Sequence, residues 1–214
     1  MEIDKKDIRA LTKVQLREFF VSQGDQSFRG NQVYEWLWSK GAHSFEDMTN
    51  ISKATRTMLE ENFVINHIKV DQMQRSEDGT VKNAVRLHDG LVVESVLIPT
   101  NTRTTACVSS QVGCSLDCNF CATARLKRMR NLEPAEIYDQ VIAIDKESRL
   151  YYNHPLSNIV FMGMGEPLMN YNNVIKAIEM ITSEEGLGMS PKRITVSTSG
   201  VPNKRIYGKD TISE

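Results

Sequence analysis

Three cysteines lie within one short stretch of this chain, in the spacing C-x3-C-x2-C: Cys114, Cys118 and Cys121. Three thiolates this close in sequence can reach one metal centre without help from the rest of the fold. A four-iron, four-sulfur cluster takes one protein ligand per iron, usually from four cysteines. Three ligands would leave one iron open, which suits a cluster that binds a substrate or cofactor directly. The spacing therefore predicts a loop folded around a metal centre with a free coordination position.

Other interpretations of the cysteines stay open at this point. A structural zinc site could take Cys107 as a fourth ligand, although zinc sites usually pair two short C-x2-C units across a longer gap. An isolated cysteine is often only a small buried hydrophobic residue. A disulfide framework is disfavoured because the chain begins with charged residues rather than a secretory leader, and reduced thiols are the default in the cytosol. We therefore expect a cytoplasmic protein.

Composition places the chain among ordinary globular proteins. It has 214 residues, of which 40% are hydrophobic and 25% charged, and no apolar run approaches the roughly 18 residues needed to span a bilayer. The formal net charge of −1 gives no general sign of nucleic-acid binding. Four basic residues nevertheless follow the cysteines closely: Arg125, Lys127, Arg128 and Arg130. They form either a patch that holds phosphates or a solvated loop.

Residues 1–65 are predicted to form a small helical domain. Thr12-Lys13-Val14-Gln15 has the pattern of a capping box, and Gly24 would end the helix that follows it. A second helix is predicted from about Gly30 to Ser39, and shorter helices over 45–48 and 52–62. The module is interpreted as an accessory domain.

Residues 66–100 are predicted to form a β-hairpin connector. Asp78-Gly79 and Asp89-Gly90 lie between β-like runs, and such pairs favour turns that need positive φ. The predicted strands cover 68–74, 81–87 and 91–98.

Strand and helix patterns alternate in the remaining segment, 101–214. The predicted strands cover 104–109, 157–162 and 193–197, and the predicted helices 133–149 and 171–182. This alternation favours an α/β fold with a parallel sheet and right-handed crossovers. Ligands in such sheets bind at the carboxyl ends of the strands. The cysteines, the segment Gly163–Pro167 and Ser197 all lie at or just past those ends.

Several motifs together resemble a known family. The cysteine spacing with Phe120 before the last cysteine resembles the radical S-adenosylmethionine (SAM) superfamily. Longer stretches from about Leu11 to Val201 are similar to the radical-SAM RNA methyltransferases that modify C2 of adenine, including the dual-specificity type. These stretches are 93–99, 107–114, 161–168 and 195–200. The resemblance implies an incomplete partial (β/α) barrel preceded by a small helical domain and a short β-hairpin region.

The resemblance also implies a function. It would be methylation of adenine C2 in 23S rRNA, and in tRNA next to the anticodon. The cofactors would be one 4Fe-4S cluster held by Cys114, Cys118 and Cys121, and SAM, which the reduced cluster would cleave to a 5′-deoxyadenosyl radical. The implied partners are 23S rRNA, tRNA, and an electron donor such as flavodoxin or ferredoxin, with the helical domain helping to hold RNA. No membrane association is expected, and a monomer is the default. The alternative is a zinc- or cluster-stabilised RNA-binding remnant without catalysis.

Further site residues follow from the resemblance alone. Glu94 matches the proton acceptor, and Gly165, Glu166 and Ser197 match residues that contact SAM. Cys107 matches a position that can pair with a distant C-terminal methyl-carrier cysteine. Judged without the resemblance, Glu94 is a partly exposed strand residue, Cys107 a buried thiol and Ser197 a strand-end hydroxyl.

The chain departs from the family pattern after Val201. No cysteine follows Cys121, so the methyl carrier is absent from these 214 residues. We expect a C-terminally truncated chain in which strand 193–197 has an unpaired edge, stability is marginal and methyl transfer does not occur. A fragment, a frameshift product and a natural truncation all remain open.

Overall fold

The computed structural model describes residues 5–116, 118, 119 and 121–200. These residues form two compact units, one of 5–67 with 183–188 and the other of 68–182 with 189–200. The strands of the predicted connector, 66–100, share a unit and a sheet with those of the segment that begins at 101. The three-part division at 65 and 100 stays a prediction about domains.

The first unit contains three helices and one pair of short parallel strands. In chain order these are β1 (Lys6–Asp7), α1 (Lys13–Ser22), α2 (Phe28–Trp38), α3 (Lys53–Asn62) and β2 (Phe63–Val64), with 3-10 turns at Ile8–Ala10 and Phe45–Asp47. The predicted capping box is present: the Gln15 N–H donates to the Thr12 hydroxyl, and the Thr12 N–H donates to the Gln15 side chain. Gly24, with φ +75°, follows α1 as predicted.

Helix α2 begins two residues before the predicted start, and Gly30 lies inside it. A Cβ at Gly30 would lie 2.6 Å from the backbone nitrogen of Arg17, so the two helices cross with their backbones nearly in contact. Buried side chains from both helices and their neighbours form the core of the unit: Ile8, Leu16, Phe20, Val33, Leu37 and Leu59.

The second unit is built on one mixed sheet of six strands. Its elements are β3 (Lys69–Arg75), β4 (Val81–Arg86), β5 (Val92–Pro99), β6 (Thr104–Cys107), β7 (Gln111–Val112), β8 (Arg130–Asn131), α4 (Pro134–Tyr152), β9 (Asn158–Phe161), α5 (Tyr171–Thr182) and β10 (Ile194–Val196). The strand order is β10-β9-β6-β5-β4-β3. Strands β6, β9 and β10 are parallel, which confirms the predicted α/β class, and β3 to β6 form an antiparallel meander. The turn glycines Gly79 and Gly90 have φ of +85° and +83°, as the Asp-Gly pairs predict.

One face of this sheet is buried and the other is largely open. Helix α4 packs on β5 and β6 and contacts α5. Apolar side chains fill the covered face: Val81, Val85, Val93, Leu97, Ala106, Ile159 and Phe161. Glu94 and Cys107 belong to the opposite face, because Val96 pairs with Cys107 and Glu94 lies two residues before Val96. Within the described ranges, no helix combines the length and the apolar character needed to cross a membrane.

Candidate functional site

Four predicted site segments meet at one edge of the sheet. The parallel strands β6, β9 and β10 end there and lead into the cysteine loop, the Gly163–Pro167 loop and Ser197 respectively. Strand β5 runs in the opposite direction, so its first residues, including Glu94, reach the same edge. The sheet therefore brings together segments that are far apart in sequence.

The cysteine loop, 113–129, is closed at its base by the antiparallel pair β7–β8. Gly113 begins the loop with φ +72°, and a Cβ there would lie 2.4 Å from the carbonyl oxygen of Lys127. Only glycine fits this position, because it needs both a left-handed backbone and space for the returning strand. The Cys114 N–H then donates to the Leu126 carbonyl (3.3 Å), which adds one more link between the two sides of the loop.

The three thiols are free and half-buried. The Leu116 N–H lies 3.4 Å from Cys114 Sγ, and the Cys121 N–H donates to the Cys118 carbonyl (3.0 Å). Burial alone would raise the pKa of Cys121, but hydrogen bonds from the Ala124 and Thr123 N–H groups and the Thr123 hydroxyl outweigh it and lower the pKa. Hydrogen bonds to sulfur favour the thiolate, which is the form that binds metal.

In this structure the three thiols are not close enough together to share one metal ion. Across the described ranges, no group of three or more Cys, His, Asp or Glu side chains is close enough to hold a metal ion. The donor set still fits a cluster, since three accessible thiols occupy one loop and N–H donors point at two of the sulfurs. Phe120, the aromatic residue of the cysteine motif, lies outside the described residues.

Cys107 lies in strand β6 rather than in the cysteine loop. It is half-buried on the open face of the sheet, opposite Val96. Burial raises the pKa of its thiol, and a hydrogen bond from the Met162 N–H only partly offsets this. Cys107 therefore lies on a different element from the three loop cysteines, and the zinc alternative stays a prediction.

The Gly163–Pro167 loop runs directly over the chain that follows β6. A Cβ at Gly163 would lie 2.7 Å from Ser109 Oγ, and a Cβ at Gly165 would lie 2.5 Å from Gln111 Cβ. The Met164 carbonyl accepts hydrogen bonds from the N–H groups of Ser110 (2.8 Å) and Gln111 (3.1 Å). The two glycines are therefore required for close packing, whatever ligand the loop binds.

Glu166 is buried, with 3% of its surface exposed, and its carboxylate joins two loops. Oε1 accepts from the Leu168 N–H (2.9 Å) and the Thr198 hydroxyl (2.7 Å), and Oε2 accepts from the N–H and hydroxyl of Ser199 (both 3.0 Å). An ionised carboxylate has about four acceptor positions, and all are used here. A ligand ammonium would therefore replace one of these donors. The sequence predicted Glu166 but missed Thr198 and Ser199, although the hydroxyl-rich run after β10 was a signal.

Glu166 is expected to make the fold sensitive to acid. Burial by itself raises the pKa of Glu166, but the hydrogen bonds from Thr198, Leu168 and Ser199 outweigh it, so the pKa lies below its ordinary value of 4.5. The carboxylate then stabilises the fold above pH 4.5, and this contribution is lost as the pH falls through the folded-state pKa. In urea unfolding, Glu166→Gln should be less stable than the unchanged chain near neutral pH, and the difference should shrink below pH 4.5. An equal difference at every pH would contradict this.

Glu94 is half exposed on the open face of the sheet. Its carboxylate lies 2.6 Å from the ammonium of Lys82 on the neighbouring strand. Its backbone carbonyl accepts a hydrogen bond from the Ser109 hydroxyl (2.6 Å), and the same hydroxyl accepts one from the Met164 N–H (2.8 Å). The start of β5 is therefore tied to the Gly163–Pro167 loop through one side chain.

The basic stretch after the cysteines is divided in its role. Arg130 fits neither of the two interpretations of this stretch, because its guanidinium binds Glu136 through two 2.8 Å hydrogen bonds and Asp89 through one of 2.6 Å. These contacts tie β8 to the start of α4 and to the β4–β5 turn. The other three residues, Arg125, Lys127 and Arg128, have no carboxylate partner within the described ranges.

Removing the Arg130 side chain is expected to destabilise the second unit. Glu136 is only 4% exposed in its side chain, so Arg130→Ala would leave a buried carboxylate with too few partners. We expect a loss of about 2 kcal/mol in the free energy of unfolding, measured by urea denaturation. Arg149→Ala is the matched control, because Arg149 pairs with Asp145 one helical turn away and is 59% exposed. It should cost less than about 0.5 kcal/mol, and equal losses would contradict the prediction.

Comparison with known proteins matches both parts of the chain. Residues 6–65 match the model for the ribosomal RNA large subunit methyltransferase N-terminal domain, and residues 108–210 match that for the radical SAM superfamily. A radical SAM methyltransferase structure from Sphaerobacter thermophilus has a TM-score of 0.80 at 36% identity, and the match covers 92% of this chain and 57% of that one. The fold and the cysteine motif thus define a radical SAM protein.

Curated relatives indicate which radical SAM proteins this chain resembles. A probable dual-specificity RNA methyltransferase RlmN from Flavobacterium johnsoniae is 88% identical over 202 residues, covering 94% of this chain and 58% of the relative. The dual-specificity RNA methyltransferase RlmN from Geotalea uraniireducens is 45% identical over 199 residues, covering 93% and 56%. Over nearly its whole length the chain is therefore similar to RlmN RNA methyltransferases. It spans somewhat more than half the length of the curated relatives that it matches.

Proposed function

We propose that this chain supplies the cluster-binding and SAM-binding part of an RNA methyltransferase that acts on C2 of adenine. The proposed substrates are 23S rRNA and tRNA next to the anticodon. The observation that carries the proposal is the meeting of the cysteine loop, the Gly163–Pro167 loop, Ser197 and Glu94 at one edge of the sheet. Similarity to the RlmN relatives supports the reaction class.

The proposed ligands follow from the donor groups at this edge. Cys114, Cys118 and Cys121 would hold a 4Fe-4S cluster, and three ligands leave one iron for the cofactor. When bound and reduced, such a cluster supplies the electron that cleaves the sulfonium of SAM. The backbone of Gly165, the carboxylate of Glu166 and the hydroxyl of Ser197 would bind and orient SAM beside it.

Glu94 is the proposed proton acceptor. Its carboxylate lies 2.6 Å from the Lys82 ammonium and is half exposed on the open face. A general base needs a path to the proton that it removes, and the open face offers one. Cys107, on the same face, would pair with a methyl-carrier cysteine supplied from outside these 214 residues.

The proposed RNA contact is the group Arg125, Lys127 and Arg128. These side chains follow the cysteine loop and have no carboxylate partner within the described ranges, so they are available to phosphates. A flavodoxin or ferredoxin as electron donor, a monomeric state and a cytoplasmic location complete the proposal.

The test compares the 214-residue chain with a chimera that continues it with the C-terminal part of the Flavobacterium johnsoniae relative. Both are reconstituted with iron and sulfide without oxygen, then incubated with a reductant, SAM, and 23S rRNA or tRNA. We expect both to bind the cluster, and only the chimera to form 2-methyladenosine, because no cysteine follows Cys121 in the chain itself.

Each other outcome overturns a stated part of the proposal. Methylation by the 214-residue chain would show that it needs no further cysteine. A chimera that binds the cluster but never methylates RNA would remove the proposed reaction. One zinc per chain without acid-labile sulfide would favour the zinc-stabilised RNA-binding alternative.

A further inference from the structure

Gln111 is a fully buried amide between the cysteine loop and the Gly163–Pro167 loop. Its Oε1 accepts a hydrogen bond from the Glu166 N–H (2.9 Å), and its Nε2 donates to Asn131 Oδ1 (2.7 Å). Gln111 lies in β7, immediately before the loop, and Asn131 lies in β8, immediately after it. The Gln111 side chain thus joins the two ends of the cysteine loop and also binds the backbone of Glu166, a proposed SAM-binding residue.

The chain of hydrogen bonds returns to the segment where it began. Asn131 Nδ2 donates to the carbonyl of Met169 (3.3 Å), three residues beyond Glu166. The amide pair therefore holds the segment 166–169 at two points, one through an N–H group and one through a carbonyl. Each amide uses its oxygen as an acceptor and its nitrogen as a donor, so rotating either amide by about 180° would break its hydrogen bonds.

Packing reinforces this link. Gly165 has φ +93°, and a Cβ there would lie 2.5 Å from Gln111 Cβ and 2.7 Å from its Cγ. The loop is therefore in contact with the stem of the glutamine as well as with its amide. Because Gln111 is wholly inaccessible, water cannot replace the lost hydrogen bonds if the amide is removed.

We propose that Gln111, through its amide pair with Asn131, is a positioning residue that sets the SAM-binding loop at a fixed place relative to the cysteine loop. The inference rests on the proposed function for the identity of the two ligands. It separates two properties of the site: the three thiols take up the cluster without Gln111, whereas SAM binding beside the cluster depends on it.

The test variant is Gln111→Met, which keeps the length of the side chain and removes both hydrogen bonds. Gln140→Met is the matched control. Gln140 is also fully buried, and its amide binds the N–H (2.9 Å) and carbonyl (3.2 Å) of Ser109 and the carbonyl of Glu136 (3.2 Å), whereas none of these hydrogen bonds goes to residues 163–169. Both variants therefore lose a buried amide of the same kind in the same unit.

The 214-residue chains are reconstituted without oxygen and compared by iron and sulfide content, by equilibrium dialysis with SAM, and by electron paramagnetic resonance of the reduced centre. We expect all of them to take up the same iron and sulfide. Gln111→Met should bind SAM at least about tenfold more weakly and should lose the change that SAM causes in the spectrum. Gln140→Met should bind SAM as the unchanged chain does.

Unchanged SAM affinity in Gln111→Met, or an equal loss in Gln140→Met, would overturn the proposal. If Gln111→Met does not fold, Asn131→Leu breaks the same hydrogen-bond chain at a half-buried position and has the same expected result. If even the unchanged chain takes up no cluster, the proposed function fails. Hydrogen exchange in the metal-free chain then decides the positioning role, since the amides of 163–166 should exchange faster in Gln111→Met than in Gln140→Met.

Discussion

Replacing Cys118 with serine is expected to abolish the iron–sulfur centre. Three thiols in one loop are the whole proposed ligand set, and the described residues contain no group of three metal-binding side chains that could substitute for them. A serine hydroxyl is not ionised at neutral pH and binds iron poorly, so two remaining thiolates would have to hold the cluster. The measurement is iron and acid-labile sulfide per chain after anaerobic reconstitution, together with visible absorption.

Cys107→Ser is the control for this experiment. Cys107 is also a free, half-buried cysteine, but it lies in strand β6 and not in the loop. The Cys107→Ser variant should take up as much iron and sulfide as the unchanged chain. A brown, sulfide-containing product from Cys118→Ser would remove the basis of the assignment, and so would an equal loss in Cys107→Ser.

Gly165→Ala is expected to have the largest effect on stability. The residue needs φ +93°, and a Cβ would approach Gln111 Cβ to 2.5 Å, where the backbone cannot easily move because Met164 and Glu166 are both hydrogen-bonded. A left-handed backbone costs about 1–2 kcal/mol for alanine, and forcing an atom into a packed site adds about 1–3 kcal/mol. We therefore expect a loss of about 3 kcal/mol in the free energy of unfolding.

Gly90→Ala separates the two contributions. Gly90 has a similar φ of +83° and lies in the same unit, but nothing lies within 4 Å of a Cβ placed there. Its loss should be limited to the backbone cost of about 1–2 kcal/mol. Urea denaturation of both variants with unchanged m-values gives the comparison. Equal losses would mean that the contact with Gln111 has no energetic consequence.

Local features of the fold could be predicted from the sequence. The capping box at Thr12, the Asp-Gly turns at Gly79 and Gly90, and the helix over 171–182 depend on neighbouring residues, and the structure has all of them. Strand β6 ends at Cys107 instead of at 109 because the Ser109 N–H donates to the side chain of Gln140. That partner is 31 residues away, so no local pattern could indicate it.

The candidate site could be predicted only in part, for the same reason. The cysteines and the glycine loop are short motifs whose residue types indicate their chemistry. Gln111 and Arg130 are ordinary residues in sequence, and their roles arise from partners in other segments, such as Glu166 and Asp89. The sequence likewise could not indicate which hydroxyl groups bind Glu166, because these contacts depend on the parallel pairing of β9 with β10.

The β7–β8 pair has a consequence for the energetics of metal capture. Closing a flexible loop costs conformational entropy, and the cost grows with the length of the loop. In this protein the β7–β8 pair already holds the ends of 113–129 together, and Arg130 joins one end to α4. An incoming metal centre therefore has to order only the interior of a preorganised loop, which leaves more of its binding free energy for affinity.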